Sequence, residues 1–196
     1  MRHHPRAGIL VCIASLVVAV SACIGSFEVD LTLFDRVDLG AEIALVTPPG
    51  EAQAPGAAVQ ILRRAEVDLG DQLDPEIAEK MDGLQIDELW LRVPDNTMTA
   101  DLEGVRILIG PVEALSPLDP GVVELTRVAR IPARSSLAAT PLLVGGPGQQ
   151  ALQERLIEMK MVMLISATVR VQDPQRPPSG AASFELDVKA TIRNDP

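Results

Sequence analysis

Several stretches of this chain alternate apolar and polar residues, a period-2 pattern that is typical of a β-strand with one buried face. Residues 27–33, with the sequence FEVDLTL, are the first clear example. The same reasoning, extended to short apolar runs, predicts further strands at 41–46, 59–69, 85–93, 105–109 and 122–131. Segments rich in glycine and proline, such as 47–56, separate these runs and predict loops.

The two longest alternating runs lie near the end of the chain. In residues 161–171 the odd positions are apolar, and in residues 184–192 the even positions are apolar while charged or polar residues occupy the odd ones. The turn-rich segment 173–180 joins the two runs. Two alternating runs joined by a short loop predict an antiparallel hairpin.

Two segments favour short helices. Asp74 suits the N-cap of a helix, Pro75 its first position and Gly83 its end. The second segment has apolar residues at helical spacing, namely Leu152, Leu156 and Met159. About seven or eight strands, two short helices and no β-α-β rhythm predict a mainly β fold. We therefore expect an antiparallel β-sandwich, Ig-like in general architecture, as a single domain over residues 27–196.

A different pattern precedes this domain. Arg2 and Arg6 come before an apolar stretch at 9–20, which is shorter than the roughly 20 residues of a membrane-spanning helix. Small residues and a cysteine close the stretch: Val20, Ser21, Ala22 and Cys23. A basic start, a short apolar middle and a small-residue cleavage site are typical of a secretory signal peptide.

With a cysteine at the cleavage point, the pattern resembles the lipobox of bacterial lipoproteins. The resemblance implies cleavage before Cys23, whose sulfur then carries acyl chains that hold the protein on a membrane. Residues 1–22 are then the signal peptide and 23–26 a short lipid-anchored tether. Because Ile24 rather than aspartate follows the cysteine, the resemblance implies the outer membrane in a Gram-negative host. The alternatives are a plain secretory signal with an incidental cysteine and a transmembrane anchor.

The negative net charge of the chain limits the kinds of molecule that it can bind. The whole chain carries −10, and losing Arg2 and Arg6 with the leader makes the remainder still more acidic. Such a surface repels nucleic acid and anionic membrane faces, so nucleic acid is excluded as a partner.

The residue types that are absent from positions 23–196 exclude several kinds of catalytic and metal site. Both histidines, His3 and His4, and the second cysteine, Cys12, lie in the leader, and the chain has no tyrosine. Residues 23–196 therefore cannot build Ser-His-Asp or Cys-His catalytic groups, zinc sites based on histidine or cysteine, or an internal disulfide. We expect no cofactor.

Aromatic residues are scarce, and we expect the phenylalanines, Phe27, Phe34 and Phe184, to lie in the core. Trp90 alternates with Leu89, Leu91 and Val93. If those three side chains point inward, Trp90 points outward together with Arg92. An exposed indole beside an arginine is a candidate binding anchor for a partner protein. The alternative is that loops or a helix cover Trp90.

Three aspartates form a weak candidate for a metal-binding site. Asp68, Asp71 and Asp74 supply hard oxygen ligands of the kind that calcium prefers, but they lack the spacing of a calcium-binding loop. Turn and helix-cap roles account for the same residues, so we expect no metal.

Two carboxylate pairs could in principle serve in acid–base chemistry, but ordinary solvated side chains account for them better. In a strand, neighbouring residues point to opposite faces, which separates Asp87 from Glu88, whereas Asp101 and Glu103 share a face.

Three further motifs have simpler explanations. Arg127, Arg130 and Arg134 are better explained as a charge-balanced sheet edge than as an anion site. Because Arg127 and Arg130 are three residues apart, their side chains would point to opposite faces of one straight strand. Ser135 and Ser136 have no histidine to act as a base. The glycine-rich loop 145–148 lacks a phosphate-binding motif and suits a flexible entry to a helix.

We therefore expect a non-enzymatic, lipid-anchored binding or structural module of the bacterial cell envelope, with an envelope protein as partner. The alternative is a carrier of an apolar ligand or lipid, with Met159, Met161 and Met163 lining an adaptable cavity. An enzyme that uses carboxylates or calcium ranks third.

Overall fold

The computed structural model describes residues 15–19, 26–46, 55–70, 83–142, 146–173 and 175–193. Within these ranges the chain forms nine strands and two helices. In chain order they are β1 (Ser15–Ala19), β2 (Ser26–Asp38), α1 (Leu39–Val46), β3 (Ala57–Asp68), β4 (Leu84–Val93), β5 (Leu102–Gly110), β6 (Val123–Ile131), β7 (Leu137–Pro141), α2 (Pro147–Ile157), β8 (Lys160–Val171) and β9 (Ala181–Arg193).

The strands form two antiparallel sheets that pack together as a β-sandwich, which confirms the predicted fold class. Sheet A has five strands in the order β1-β2-β9-β4-β7, and sheet B has four in the order β3-β8-β5-β6. Their inward residues form the core, in which Phe184 is only 1% exposed, as predicted. The side chains of Phe27 and Phe34 lie outside the described part of the structure, as does the predicted helix start at Asp74.

The predicted hairpin between the last two strands is wrong. β8 pairs with β3 and β5 in sheet B, whereas β9 pairs with β2 and β4 in sheet A. The connection 172–180 therefore crosses from one sheet to the other, over the roughly 10 Å that separates packed sheets. Alternation identified both strands and their buried faces, but it holds no information about which strand lies alongside.

The predicted strand at 41–46 is also wrong, because these residues belong to helix α1. β2 ends at Asp38, whose Oδ1 accepts a hydrogen bond from the backbone N–H of Ala41 at 3.1 Å, in the manner of a helix N-cap. The backbone N–H of Leu39 donates to the carbonyl of Gly180 at 2.9 Å and fixes the point where the chain leaves the sheet. Alanine, glutamate and leucine are strong helix formers, so local propensity favours the helix.

Helix α2 confirms the second predicted helix, with Leu152 and Leu156 fully buried. It ends at Ile157, and Met159 lies beyond it with a φ of 58°, so Met159 is not part of the helical stretch. At its start, a Cβ on Gly148 would lie 2.8 Å from the carbonyl oxygen of Glu124. Glycine is therefore needed here for close packing of α2 against β6, rather than only for flexibility.

Strand β8 is buried on both faces, not on one. Val162 and Leu164 point away from the sandwich interior and are nevertheless fully buried with Ala114, which belongs to the connection 111–122. Arg64 holds this connection in place by donating from Nε to the carbonyl of Ala114 at 2.9 Å. The connection 111–122 thus covers the second apolar face of β8, which lies between β3 and β5 in sheet B.

Candidate functional site

The side chains of strand β4 alternate as predicted. Leu89, Leu91 and Val93 are at most 2% exposed and point into the sandwich. Trp90 and Arg92 therefore lie on the outer face of sheet A, and both are partly exposed to solvent. This outer surface, which we call the Trp90 face, comprises Thr32 from β2, Glu88, Trp90 and Arg92 from β4, and Asp187 and Lys189 from β9.

The indole of Trp90 is held by polar contacts. Its Nε1–H donates to Oε2 of Glu88 at 3.2 Å, and Nζ of Lys189 lies 3.3 Å from the same oxygen. These contacts, the indole hydrogen bond first, lower the pKa of Glu88. Glu88 therefore stays ionised and keeps the ring oriented, while the rest of the indole remains partly accessible.

Arg92 is anchored by two carboxylates of the neighbouring strand. Its Nε lies 2.6 Å from Oε2 of Glu185 and 3.0 Å from Oδ2 of Asp187. The N–H bond points at neither oxygen, so these contacts are ion pairs rather than aligned hydrogen bonds. Asp187 also accepts a hydrogen bond from the hydroxyl of Thr32 at 2.7 Å. The guanidinium is thus fixed beside the indole, with 43% of the Arg92 side chain exposed.

A cleft of about 450 Å³ runs across the Trp90 face, from Asp30 and Thr32 on β2 to Ala139 on β7. Its lining combines one aromatic ring with charged side chains of both signs. A partly exposed ring surrounded by fixed polar groups is the arrangement found at the centre of protein interfaces. The geometry therefore suits contact with a polypeptide.

A β-bulge next to the Trp90 face overturns one prediction. The register of β4 against β9 shifts between Ile86 and Glu88, so Asp87 and Glu88 are both exposed rather than on opposite faces. Asp87 accepts a hydrogen bond from the hydroxyl of Thr191 at 2.6 Å. Gln149 of α2 donates to the carbonyl of Ile86 at 2.8 Å, which satisfies a buried backbone group beside the bulge.

The second carboxylate pair lies on another surface. Asp101 accepts the backbone N–H of Ala133 at 2.7 Å and pairs with Arg130, and these contacts, in that order, lower its pKa. Glu103 lies 3.1 Å from Nε of Arg170. Both line a polar cleft of about 560 Å³. Each carboxylate thus has a cation as partner, and for Asp101 the lowered pKa favours the ionised form over a proton-donating one.

The predicted arginine edge has carboxylate partners. Strand β6 is an edge strand of sheet B, and Nη2 of Arg127 lies 3.0 Å from Glu124. Arg130 pairs with Asp101, and Arg134 sits in a turn with a φ of 56°. Arg127 and Arg130 thus each balance a neighbouring carboxylate, as expected for a charge-balanced edge. Of the two serines, Ser135 directs its hydroxyl to the carbonyl of Ala133 at 3.4 Å.

Asp68 is the described member of the calcium candidate, while Asp71 and Asp74 lie outside the described residues. Its Oδ1 accepts the backbone N–H of Gly70 at 2.9 Å, and its Oδ2 lies 3.1 Å from Nζ of Lys160. The backbone hydrogen bond, and then Lys160, lower the pKa of Asp68. In the part of the chain that the structure covers, no cluster of three histidine, cysteine, aspartate or glutamate residues is placed to hold a metal ion.

The methionines proposed as a cavity lining pack in the core. Met161 and Met163 are at most 2% exposed and belong to the two large apolar clusters between the sheets, and Met159 packs against one of them. Ordinary core packing accounts for their positions.

A buried ionic cluster, which was not predicted from the sequence, joins the two sheets. Asp35 of β2 is 2% exposed and lies at an inward position between Leu33 and Val37. Its Oδ2 lies 3.1 Å from Nε of Arg63, an inward residue of β3. Nη1 of Arg63 also lies 3.8 Å from Oε1 of Glu42 in α1. We call Asp35, Glu42 and Arg63 the buried ion cluster.

Glu42 gives this cluster a pH dependence. Burial raises its pKa, Arg63 partly opposes the rise, and Asp35 and Asp38 add to it. A raised pKa means that the folded protein binds the proton of Glu42 more tightly than the unfolded chain. The contribution of Glu42 to stability is therefore present at low pH and is lost as the pH rises through its folded pKa.

We expect Glu42→Gln to remove this dependence, because glutamine cannot ionise. The free energy of unfolding of the variant, measured relative to the native protein by urea denaturation, should rise between about pH 4 and pH 8. Glu66→Gln on strand β3, where the side chain is 61% exposed, is the matched surface control, and the pH dependence found for Glu42→Gln should exceed the one found for this variant. A flat difference for Glu42→Gln would contradict the prediction.

Among the described residues, no helix is long and apolar enough to cross a bilayer. Neither a scan against models of protein families nor a search of curated proteins finds a match to this chain.

Proposed function

We propose that the protein is a lipid-anchored lipoprotein of the bacterial cell envelope, and that it works as a non-enzymatic module that binds an envelope protein through the Trp90 face. The anchoring half of the proposal rests on the lipobox-like sequence that ends at Cys23. The binding half rests on one observation, the partly exposed indole of Trp90 held among fixed charges.

The distance between the anchor and the domain supports an envelope role. β2 begins at Ser26, so only Ile24 and Gly25 lie between Cys23 and the sandwich. The three residue-to-residue steps from Cys23 to Ser26 span roughly 10 Å when the chain is extended. A domain tethered this closely works at the membrane surface, and Ile24 after the cysteine favours the outer membrane in a Gram-negative host. Each buried acyl CH₂ contributes ~0.8 kcal/mol, so several chains give stable attachment.

The charge pattern of the Trp90 face supports a protein partner over a small apolar ligand. Glu88, Arg92, Asp187 and Lys189 all lie within ion-pair distance of an opposite charge. Charges paired in this way are already oriented, so these side chains lose little further entropy when a partner docks. The indole then supplies the apolar anchor, and the surrounding charges set the register and the partner's identity.

A photo-crosslinking residue in place of Trp90 tests the binding half. In intact cells of the source bacterium we expect a discrete adduct to one envelope protein. The same residue in place of Leu118, which is 92% exposed on the connection 111–122, is the control and should not give that adduct. An adduct formed equally well from position 118, or none from position 90, would count against the Trp90 face.

Trp90→Ala gives the matching affinity measurement once that partner is in hand. Because a central aromatic anchor typically contributes 2 kcal/mol or more, we expect binding to weaken by roughly 30-fold. Arg127→Ala, on the edge of the opposite sheet, should leave the affinity unchanged. Unfolding curves of both variants check that the fold is retained.

A further inference from the structure

Strand β1 lies at the outer edge of sheet A, although its sequence belongs to the leader. It pairs antiparallel with β2, from Ser15 opposite Thr32 to Ala19 opposite Glu28. The lipobox residues 20–23 lie in the chain between these two strands. Cleavage before Cys23 would therefore cut the covalent link between β1 and the sandwich. The inference that follows rests on this part of the proposed function.

Losing β1 would leave one side of β2 open. The opposite side of β2 is paired with β9 over its whole length, from Ser26 to Asp38. In an antiparallel ladder alternate backbone groups point to each side, so the groups of residues 28–32 that face β1 would lose their partners. A five-residue strand without a covalent link has no high effective concentration to hold it in place. Such an open edge is a template for another strand.

We propose that the edge of β2 over Glu28–Thr32 is a strand-addition site, which the leader strand fills in the precursor and an extended segment of a partner protein fills in the anchored protein. Main-chain hydrogen bonds would supply affinity, and side chains at alternate positions would supply selectivity. The seated β1 is the observation that carries the proposal, because it shows that this edge accepts an antiparallel strand.

The residues of β2 define the chemistry of the incoming segment. Val29 and Leu31 are at most 2% exposed and point into the sandwich, whereas Glu28 and Asp30 are exposed. Residues that face each other across an antiparallel pair interact directly. The segment therefore carries apolar residues opposite Val29 and Leu31, and neutral or basic residues opposite the two acids. β1 meets this requirement in sequence, with Val18 opposite Val29, Leu16 opposite Leu31 and Val17 opposite Asp30.

The other strand edges of the described sandwich are less suited to strand addition. β6 carries the exposed, charged Arg127 and Arg130, which discourage strand pairing. β7 spans only five residues. Helix α1 packs along β3.

Hydrogen exchange tests whether maturation opens the edge. The mature protein is purified from cells and compared with the full-length Cys23→Ala variant, and mass spectrometry establishes whether each retains residues 1–22. In the variant we expect the backbone amides of 28–32 that face β1 to be protected. In the mature protein the same amides should exchange at least about tenfold faster, while those that face β9 stay protected.

Synthetic peptides test the selectivity and the register. The probe is residues 13–20 with a terminal lysine tag for solubility, alongside Val17→Lys and Val17→Asp versions. Position 17 lies opposite Asp30, so we expect the lysine peptide to bind the mature protein about tenfold more tightly than the aspartate peptide. Asp30→Asn in the protein should remove most of this difference. Glu66→Gln on β3 is the control for general acidity and should preserve it.

The outcomes separate this proposal from the proposed function. A wild-type product that retains residues 1–22 overturns lipoprotein processing and the edge proposal with it. A processed, acylated product whose edge amides stay protected, or which binds none of the peptides, overturns the edge proposal alone. If the edge amides are protected because the mature protein forms a dimer, which sedimentation detects, the occupant is a second copy and the proposed partner is wrong.

Discussion

Arg63→Met will destabilise the protein by about 2–4 kcal/mol, as measured by urea unfolding near neutral pH. The substitution keeps the aliphatic stem but leaves Asp35 and Glu42 buried without their shared cation, and breaking a buried pair from one side costs several kcal/mol. We place the value below the usual 3–5 kcal/mol because 27% of the Arg63 side chain is exposed, so water screens part of the interaction.

Arg127→Met is the matched control. Arg127 also lies in a β-strand and pairs with a carboxylate, Glu124, but 61% of its side chain is exposed. We expect this variant to lose less than about 1 kcal/mol, as is usual for a surface ion pair. A triple variant, Asp35→Leu, Glu42→Gln and Arg63→Met, should recover much of the lost stability, because a buried ionic cluster can be replaced by apolar packing. Equal losses for the two single variants would contradict a buried ion cluster.

Cys23→Ala will abolish acylation and leave the leader attached. When cells are fed an alkyne-tagged fatty acid, we expect the label on the wild-type protein to fall to background in the variant, at least about a tenfold loss. If Cys23 is acylated as proposed, a chain without its sulfur has no site for the label, and it loses the acyl chains that would hold it on a membrane. The mass of the variant should correspond to the full chain from residue 1.

The chain offers a matched control in its other cysteine. Cys12 lies within the apolar stretch of the leader and is removed if cleavage occurs before Cys23. Cys12→Ala should therefore retain both the label and the mature mass. Label that persists in Cys23→Ala, or that disappears in Cys12→Ala, would show that acylation occurs elsewhere.

Local patterns predicted the parts of the fold that depend on local rules. Alternation in β4 gave the inward side of Leu89 and Leu91, and with it the outward position of Trp90. It could not predict that β8 and β9 lie in different sheets, since strand pairing depends on the whole topology. The prediction of a strand at 41–46 was wrong because a short apolar run suits a strand or a helix equally well. Asp38, a residue type that favours the N-cap of a helix, did indicate the helix.

The side-chain contacts of the candidate site could not be predicted from the sequence. The alternation in β4 predicted that Trp90 points outward. The carboxylates that fix Arg92, however, come from β9, almost a hundred residues away in the chain. The sequence does contain a signal of the buried ion cluster. Asp35 and Arg63 each interrupt a series of apolar inward positions, between Leu33 and Val37 and between Ile61 and Ala65. Two interruptions of opposite charge on different strands are a signal of a buried ion pair.

Acylation of Cys23 is the claim on which the anchor, the short tether and the opened edge of β2 all depend. Mass spectrometry of the amino-terminal peptide of the protein, isolated from the cells that produce it, measures it directly. The account predicts a peptide that begins at Cys23 and carries the added mass of its acyl chains. A peptide that still contains residues of the leader, or a residue 23 with a bare thiol, would contradict it.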